Sequence, residues 1–499
     1  MDLDYHALAP ELVVAATILV VLTLDVVLSR PRKYWTAFAG VLGLAVAAVP
    51  LLTLAFGDGP ETRSMLGGAY VVDGFSLVLK AVFIVSGYLV LLMSVSYIES
   101  DRYYQGEYYL LMLTSILGSL VMASSRDLIT LFVGLELVTG PLFLLAGWRK
   151  GSAKSNEASL KFFILGVLST AILLYGMSFL YGLTGSVTFE GIREAGADLL
   201  DSGAFRLAVL FTLVGFGFKV TAVPFHFWAP DTYEGAPTPV TAYLSVGSKA
   251  AGFVGLLLLC YKALPSVTEI WGPALWVLAA LSMTLGNLTA LRQDNVVRML
   301  AYSSIAQGGF ILVPFAAAAA SNDAAVIQEA ASATIVYVII YAFMNLGAFG
   351  VVIAGARRTG STMIDDWAGM WRYAPRLAVL GAMFFFSLAG IPPLAGWYAK
   401  FAMFLSILRP GNAWATTLAV IAAVNAVIAL VYYARIAKTM WMDPVPEGAT
   451  HMDEATGPLS GSLTLALGIS AIFVVVAGIL PFEFAGVFAD LAKVVTTGI

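Results

Sequence analysis

Apolar residues in this chain run in long blocks rather than in alternation. Residues 12–24 carry no charged side chain, and neither do residues 36–56. A helix crossing the hydrocarbon of a bilayer needs about 20 such residues. Transmembrane barrels instead show short alternating strands, and that pattern is not visible here. The blocks predict fourteen spans: 11–29, 36–56, 74–97, 108–123, 127–147, 159–183, 206–231, 238–261, 270–290, 299–319, 326–354, 375–408, 413–440 and 460–485. The expected fold is therefore an all-α polytopic membrane protein with about 14 transmembrane helices.

Two spans interrupt themselves. Span seven reads GFGFKVTAVPFHFWAPDTYEGAPTPV, with Lys219 near its middle and Pro224 after it. Span twelve reads FFFSLAGIPPLAGWYAKF, with Pro392 and Pro393 before Lys400. Proline removes a backbone donor, and freed backbone groups inside a membrane are tolerated only against protein or a water-filled cavity. Lysine and break together therefore point to a hydrated site. The lysine precedes the break in one span and follows it in the other. Two antiparallel broken helices with this reversal are what an inverted-topology repeat predicts. Spans 4–8 and 9–13 would be two inverted five-helix repeats. The expected organisation is 1–100 for three N-terminal helices, 101–265 and 266–440 for the two halves, and 441–499 for a loop and the last helix.

Charge changes the picture through its placement. The chain is 60% hydrophobic and only 12% charged, with a mean hydropathy of +0.88. Soluble domains carry roughly 25% charged residues. With the N-terminus outside, fifteen Lys and Arg fall in cytoplasmic loops, among them Arg30, Arg149, Arg298, Arg357, Arg372 and Lys438. Arg102 is also one of the fifteen; seven fall on the other side, including Arg126, Arg193 and Lys493. The positive-inside rule then puts both termini on the outer side. The first block follows Asp2, Asp4 and Glu11 with no basic stretch, so it reads as a retained helix rather than a cleaved signal.

Candidate chemistry is narrow. One cysteine, Cys260, excludes an internal disulfide and a cysteine metal cluster. His6, His226 and His451 are too few and too scattered for a confident metal site. No Gly-rich phosphate loop or CxxC is present, so no redox cofactor site is visible and no cofactor is expected on this chain.

Five lysines lie inside spans: Lys80, Lys161, Lys219, Lys249 and Lys400. Each costs roughly 2.5–3.5 kcal/mol on insertion scales, which something must offset. Lys249 is central in span eight among the small residues of SVGSKAAGF, which leave room for close packing and water. Glu136 sits mid-span in LITLFVGLELVTGP. It is either a neutral acid bonded to a carbonyl or the partner of Lys219. Lys161 lies a few residues inside span six, where snorkelling competes with a functional role. Lys80, nearer the outer end of span three, is expected to snorkel. His226, just past the first break, is either a packing residue or a proton relay. Asp25 is expected to face a loop or a partner.

The segments LFVGLELVTGP, FKVTAVPFHFWAPDTYEGAPTPVTAYLSVGSKAAGF, NVVRMLAYSSIAQGGF and SLAGIPPLAGWYAKF closely resemble the antiporter-like membrane subunits of respiratory complex I, across spans four to thirteen. The resemblance implies that Glu136 and Lys219 form an input ion pair. It makes Lys249 the central lysine and Lys400 the lysine of the second half, with Lys161 and His226 on further polar positions. One sibling type extends into a long lateral helix that is not expected here. Another typically has glutamate where this chain has Lys400. The family often reads SSIAH where this chain has Ser303-Ser304-Ile305-Ala306-Gln307, and glutamine does not titrate.

The implied role is proton translocation along Lys219, Lys249 and Lys400 through bound water, coupled to quinone reduction elsewhere. NAD, FMN, iron–sulfur clusters and quinone would belong to other subunits. Partners would be the other membrane-arm subunits, sibling antiporter-like subunits among them, and membrane lipids, with no nucleic acid. The setting would be a bacterial inner membrane. The alternative is a subunit of a multisubunit cation/proton antiporter.

Overall fold

The computed structural model describes residues 3–57, 61–100, 106–445, 459–483 and 486. Arg102, His451 and Lys493 lie outside the described residues, as does most of the 441–499 segment's loop and tail.

Among the described residues, twelve helices are each long and apolar enough to cross a membrane. They are Ala9–Val27, Tyr34–Phe56, Gly74–Ser100, Gly106–Ser124, Leu128–Ala146 and Ala153–Thr184 for spans one to six. Span eight begins at Thr238, and spans nine to eleven are Thr268–Ala290, Val296–Ala319 and Ala324–Thr359. Ala413–Met442 and Gly461–Ile479 are spans thirteen and fourteen. The two remaining crossings are the broken ones. The chain is thus a multi-pass helical membrane protein.

Local chemistry sets the helix ends. The Asp127 carboxylate accepts the Thr130 amide at 2.7 Å and caps span five. Asn295 caps span ten through the amides of Val297 and Arg298. Such caps satisfy donors that the first helical turn leaves open. Span eleven ends at Gly360, whose φ of +73° suits a residue without Cβ.

Spans eight, ten and eleven are buried along almost their whole length. Spans one, two, six and thirteen surround them and expose large apolar side chains such as Val26, Leu42, Leu168 and Val427. Facing hydrocarbon, that surface is already in its preferred solvent.

One end of the bundle carries a small hairpin of strands β1 (Arg63–Met65) and β2 (Tyr70–Val72). It is tied to the bundle by a bridge from Tyr70 to Ser125, and a second bridge at this end joins Asp127 to Thr188. The opposite end carries Arg298, Arg357 and Arg435, with a bridge between Asn295 and Met363. These ends are called the hairpin face and the arginine face below.

Three features depart from the sequence reading. Span seven carries Lys219 at its middle, but not within a continuous helix: its first helix, Gly203–Lys219, ends on that residue, and a second piece, Trp228–Gly235, follows an unwound stretch. Thr221 adopts a positive φ of 60° there, and the Val223–Pro224 bond is cis. Span eight is not one regular helix but contains π turns at Leu244–Ser248 and Leu259–Ala263. Lys80 does not snorkel. Its side chain is fully buried because Glu11 of span one sits 2.7 Å away and supplies a local partner. Asp25, by contrast, faces a loop as expected, pairing with Lys33 at 2.6 Å.

Candidate functional site

The unwound stretch of span seven is held by its neighbours. The Val223 amide donates to Ser282 Oγ at 2.9 Å, and the Trp228 indole donates to the Phe218 carbonyl at 3.3 Å. Protein groups thus satisfy backbone that the break releases, as burial in a membrane requires. Lys219 stands at the edge of this break. Its Nζ donates to Thr139 Oγ1 at 2.7 Å and lies 3.7 Å from Glu136 Oε1. Glu136 in turn accepts the Thr170 hydroxyl at 2.9 Å. The two candidate residues are therefore brought together, and the acid's hydrogen bond comes from a hydroxyl rather than from a carbonyl's side. Lys219 is buried, whereas the Glu136 side chain is 34% exposed on the flank of the bundle.

Lys249 follows directly on the first π turn of span eight. π turns are frequent at functional positions because they re-aim the residues beside them. Its Nζ donates to both the carbonyl and the hydroxyl of Ser304 at 2.5 Å. Tyr341 donates to the same hydroxyl at 3.0 Å, and Tyr233 lies 3.5 Å from it. Gly308 makes the approach possible. A Cβ there would lie 3.0 Å from the Val220 carbonyl and 3.7 Å from Lys249 Nζ. The glycine therefore separates Lys249 from the residue that follows Lys219.

One turn beyond Ser304 lies Gln307, fully buried. Its Oε1 accepts the Tyr337 hydroxyl at 2.7 Å, and its Nε2 donates to the Leu388 carbonyl at 3.1 Å and to Tyr433 at 3.3 Å. Tyr433 also pairs with Ser303 at 2.5 Å. Leu388 belongs to Pro375–Ala389, the first half of span twelve; the second is Gly396–Leu408. Lys400 reaches back across that break to the Ala389 carbonyl at 2.6 Å and lies over the Phe310 ring at 5.1 Å. Gly390 has a φ of +91°, and a Cβ there would stand 2.8 Å from Lys400 Cδ.

Lys161 takes a different place. It emerges on the arginine face, with 43% of its side chain exposed, and pairs with Asp231 at 2.5 Å and Glu157 at 2.6 Å. Asp231 also meets Arg298, which meets Glu234, which meets Lys154. This network fastens the second piece of span seven to spans six and ten. His226 is buried, but its Nδ1 has no partner among the described residues. No hydrogen bond joins its side chain to the three lysines among those residues.

The hydroxyls of Tyr233, Ser304 and Tyr341 and the Asp231–Arg298 pair were not singled out from the sequence. Serines and tyrosines in apolar spans are common packing residues, and nothing in their spacing marks them. A cavity of about 580 Å³ opens on the arginine face beside Arg149, Arg357 and Glu234, and the buried Tyr233 lines it.

The result is a polar row through the middle of the bundle. It runs from Glu136 and Lys219 past Gly308 to Lys249 and Ser304, and through Gln307 to Lys400. Lysine can exist charged or neutral, and hydroxyls both donate and accept. Lys249 and Lys400 each rest on neutral oxygens rather than on a carboxylate. Broken helices bearing buried lysines at the core of a fourteen-span bundle define an antiporter-like membrane subunit. Residues 125–426 match the family model described as NADH:quinone oxidoreductase/Mrp antiporter, TM. A curated relative, NADH-quinone oxidoreductase subunit N from Moorella thermoacetica, is 40% identical over 96% of each chain. The chain belongs to the NADH-quinone oxidoreductase subunit N family.

Solved structures agree. A chain of respiratory complex I from Thermus thermophilus is 30% identical, with a TM-score of 0.76 over 96% of this chain and 98% of that one. A chain of the Mrp complex from Dietzia sp. shares the fold, with a TM-score of 0.83 over 99% and 98% of the two chains, at 20% identity.

Proposed function

We propose that the chain is a proton-translocating subunit in the membrane arm of an NADH:quinone oxidoreductase, itself carrying no redox step. The family membership supports the assembly, and the row from Glu136 to Lys400 supports the task. The observation that carries the reading is the meeting of Lys249 with Ser304, because Ser304 also meets Tyr233 of the first broken helix and Gln307, one turn on, meets Leu388 of the second. In this reading residues 101–265 and 266–440 act as two halves, and residues 1–100 and 441–499 flank them.

The roles follow from the geometry. Glu136 steadies the charge on Lys219, with Thr139 and Thr170 fixing both heads. A proton reaches Lys249 from the arginine-face cavity by way of Tyr233 and Ser304. Neighbouring helices pack about 8–10 Å apart, so water completes the steps between lysines. Gln307 orders that water without titrating. Lys400 receives the proton at the second break. Lys161 and Asp231 hold the half-helix that follows His226.

The arginine face is cytoplasmic in this reading, both termini lie outside, and the membrane is a bacterial inner membrane. NAD, FMN, iron–sulfur clusters and quinone belong to other subunits, with sibling antiporter-like subunits beside this one. A tag on this chain provides the test. Copurification with a peripheral arm carrying flavin and iron–sulfur clusters is the expected result. Copurification with antiporter subunits alone would replace this reading with the cation/proton antiporter that the Mrp-like fold also fits.

A further inference from the structure

The buried lysine that the row leaves unused is Lys80. It belongs to a separate cluster on the hairpin face, built by spans one and three and strand β2. Lys80 Nζ lies 2.7 Å from Glu11 Oε1. The Tyr70 hydroxyl donates to the same oxygen at 2.8 Å and accepts from Lys80 at 3.4 Å. Glu11 is only 7% exposed, and its other oxygen, Oε2, is buried with no partner. Ser124 Oγ, beside the bridge that joins Tyr70 to Ser125, is buried against the Tyr70 hydroxyl. An open carboxylate oxygen beside a phenol has room for a proton or a water, since buried polar groups are otherwise satisfied.

The residues next to the cluster line a cavity. Asp73 lies three residues beyond Tyr70 and is bound by Arg126 at 2.6 Å. Val71, Asp73 and Arg126 line a cavity of about 560 Å³ on the hairpin face. The charged and titratable groups that face Lys80 are thus Glu11, Tyr70, Asp73 and Arg126. An ion pair that only clamped span one to span three would gain nothing from an open carboxylate oxygen. Apolar side chains of similar size hold helices equally well.

We propose that Glu11, Lys80 and Tyr70 form a second protonation site, outside the lysine row, that exchanges protons with water in the hairpin-face cavity. It rests on the proton-translocating reading and adds a release point to it. At rest the Lys80 ammonium and the Glu11 carboxylate balance each other. A proton delivered by water forms an O–H bond at Glu11 Oε2, and the cluster then carries one positive charge. Release breaks that bond and returns the proton to water in the cavity. Tyr70 keeps its hydroxyl hydrogen throughout, and no electron moves.

The test uses the whole complex in membranes. Glu11→Gln keeps an acceptor for Tyr70 and Lys80 but cannot take the proton. In the unaltered complex, infrared difference spectra should show a carboxylic-acid carbonyl band that titrates with the pH of the hairpin-face buffer. That band should vanish in Glu11→Gln, and proton release into that buffer during turnover should slow by about tenfold, equivalent to a barrier rise of about 1.4 kcal/mol. Lys80→Arg keeps the charge and the pair, so the complex should assemble with the band present but its titration displaced. A band and a release rate unchanged in Glu11→Gln would show a clamp and overturn the proposal. If Glu11→Gln fails to assemble, Lys80→Arg decides: an undisplaced titration overturns the proposal and a displaced one supports it. Lys400→Met, measured alongside, separates the two ideas. Normal pumping there removes Lys400 from the path and so refutes the lysine row as proposed. Lost pumping there, with Glu11→Gln unchanged, refutes only the second site.

Discussion

Gln307 and Lys400 hold adjacent carbonyls. The amide of Gln307 donates to Leu388 at 3.1 Å, and the ammonium of Lys400 donates to Ala389 at 2.6 Å. These are the last two residues of the helix that stops before Pro392 and Pro393. Carbonyls at such an end have no partner within the helix, so one comes from span ten and the other from beyond the break. The row of buried lysines therefore meets the second broken helix at its open end.

Removing Gln307's polar head should tell whether it orders the row. Gln307→Leu leaves Leu388, Tyr337 and Tyr433 each short of one bond. An unsatisfied buried group costs about 1–3 kcal/mol. The expected outcome is lower thermal stability of the complex and a reduced ratio of protons pumped per electron. Gln307→His retains a donor and an acceptor and should keep pumping near normal. Equal pumping in Gln307→Leu and the unaltered complex would exclude Gln307 from the path.

Lys400→Met should leave the complex assembled, because its one described hydrogen bond is to a carbonyl beside a glycine turn. Pumping should fall while NADH oxidation by an artificial acceptor stays unchanged. A normal proton-to-electron ratio would remove Lys400 from transfer.

Glu136→Gln should lower pumping, because Lys219 then has only Thr139 to fix it. Glu136→Asp keeps the charge with a shorter reach and should be milder. Breaking a fully buried pair costs about 3–5 kcal/mol, while replacing both members is often neutral; with Glu136 34% exposed, the cost here should be smaller but of the same sign. Glu136→Gln combined with Lys219→Met should therefore assemble at least as well as either single change, yet not pump through this subunit. Stability losses that simply add would show that the 3.7 Å approach carries no coupling.

Gly308→Val should block the passage between the first break and Lys249. Its side chain would press on the Val220 carbonyl and toward Lys249 Nζ. Pumping should fall further in Gly308→Val than in Gly308→Ala, with both complexes assembled. Equal effects of the two would point to backbone packing instead.

The proposed orientation is checked with single cysteines after removal of Cys260. Ser155, in the first turn of span six, is fully buried and unsuitable as a reporter. Ala153 and Met363 on the arginine face and Asp201 on the other are exposed. An impermeant reagent added to intact cells should label the Asp201 replacement and spare the other two. The reverse pattern would invert the topology.

The spans and both breaks were legible because hydrocarbon leaves few options. About 20 apolar residues must be helical there, and a proline with a lysine beside it needs a special reason. Glu136 and Lys219 were legible for the same cause, each being a charge in an expensive place. Lys80 was misjudged because its partner, Glu11, lies 69 residues earlier and no local pattern ties the two. Tyr233, Tyr341 and Ser304 were invisible for a related reason. Their importance comes from the two tyrosines meeting the one hydroxyl that the Lys249 ammonium also binds, and only packing creates that meeting.

The π turn at Leu244–Ser248 has a consequence for the length of span eight. A π turn takes in one residue more than an α turn would need. Each residue of an α-helix turns the face by about 100°. Losing any one of these five residues would let the segment relax into regular α-helix, with better backbone hydrogen bonding than before. The same loss would swing Lys249 away from Ser304 relative to everything before it. Span eight is thus a place where a shortened chain would fold more regularly and aim worse, so that its tolerance to deletion and its tolerance to substitution run in opposite directions.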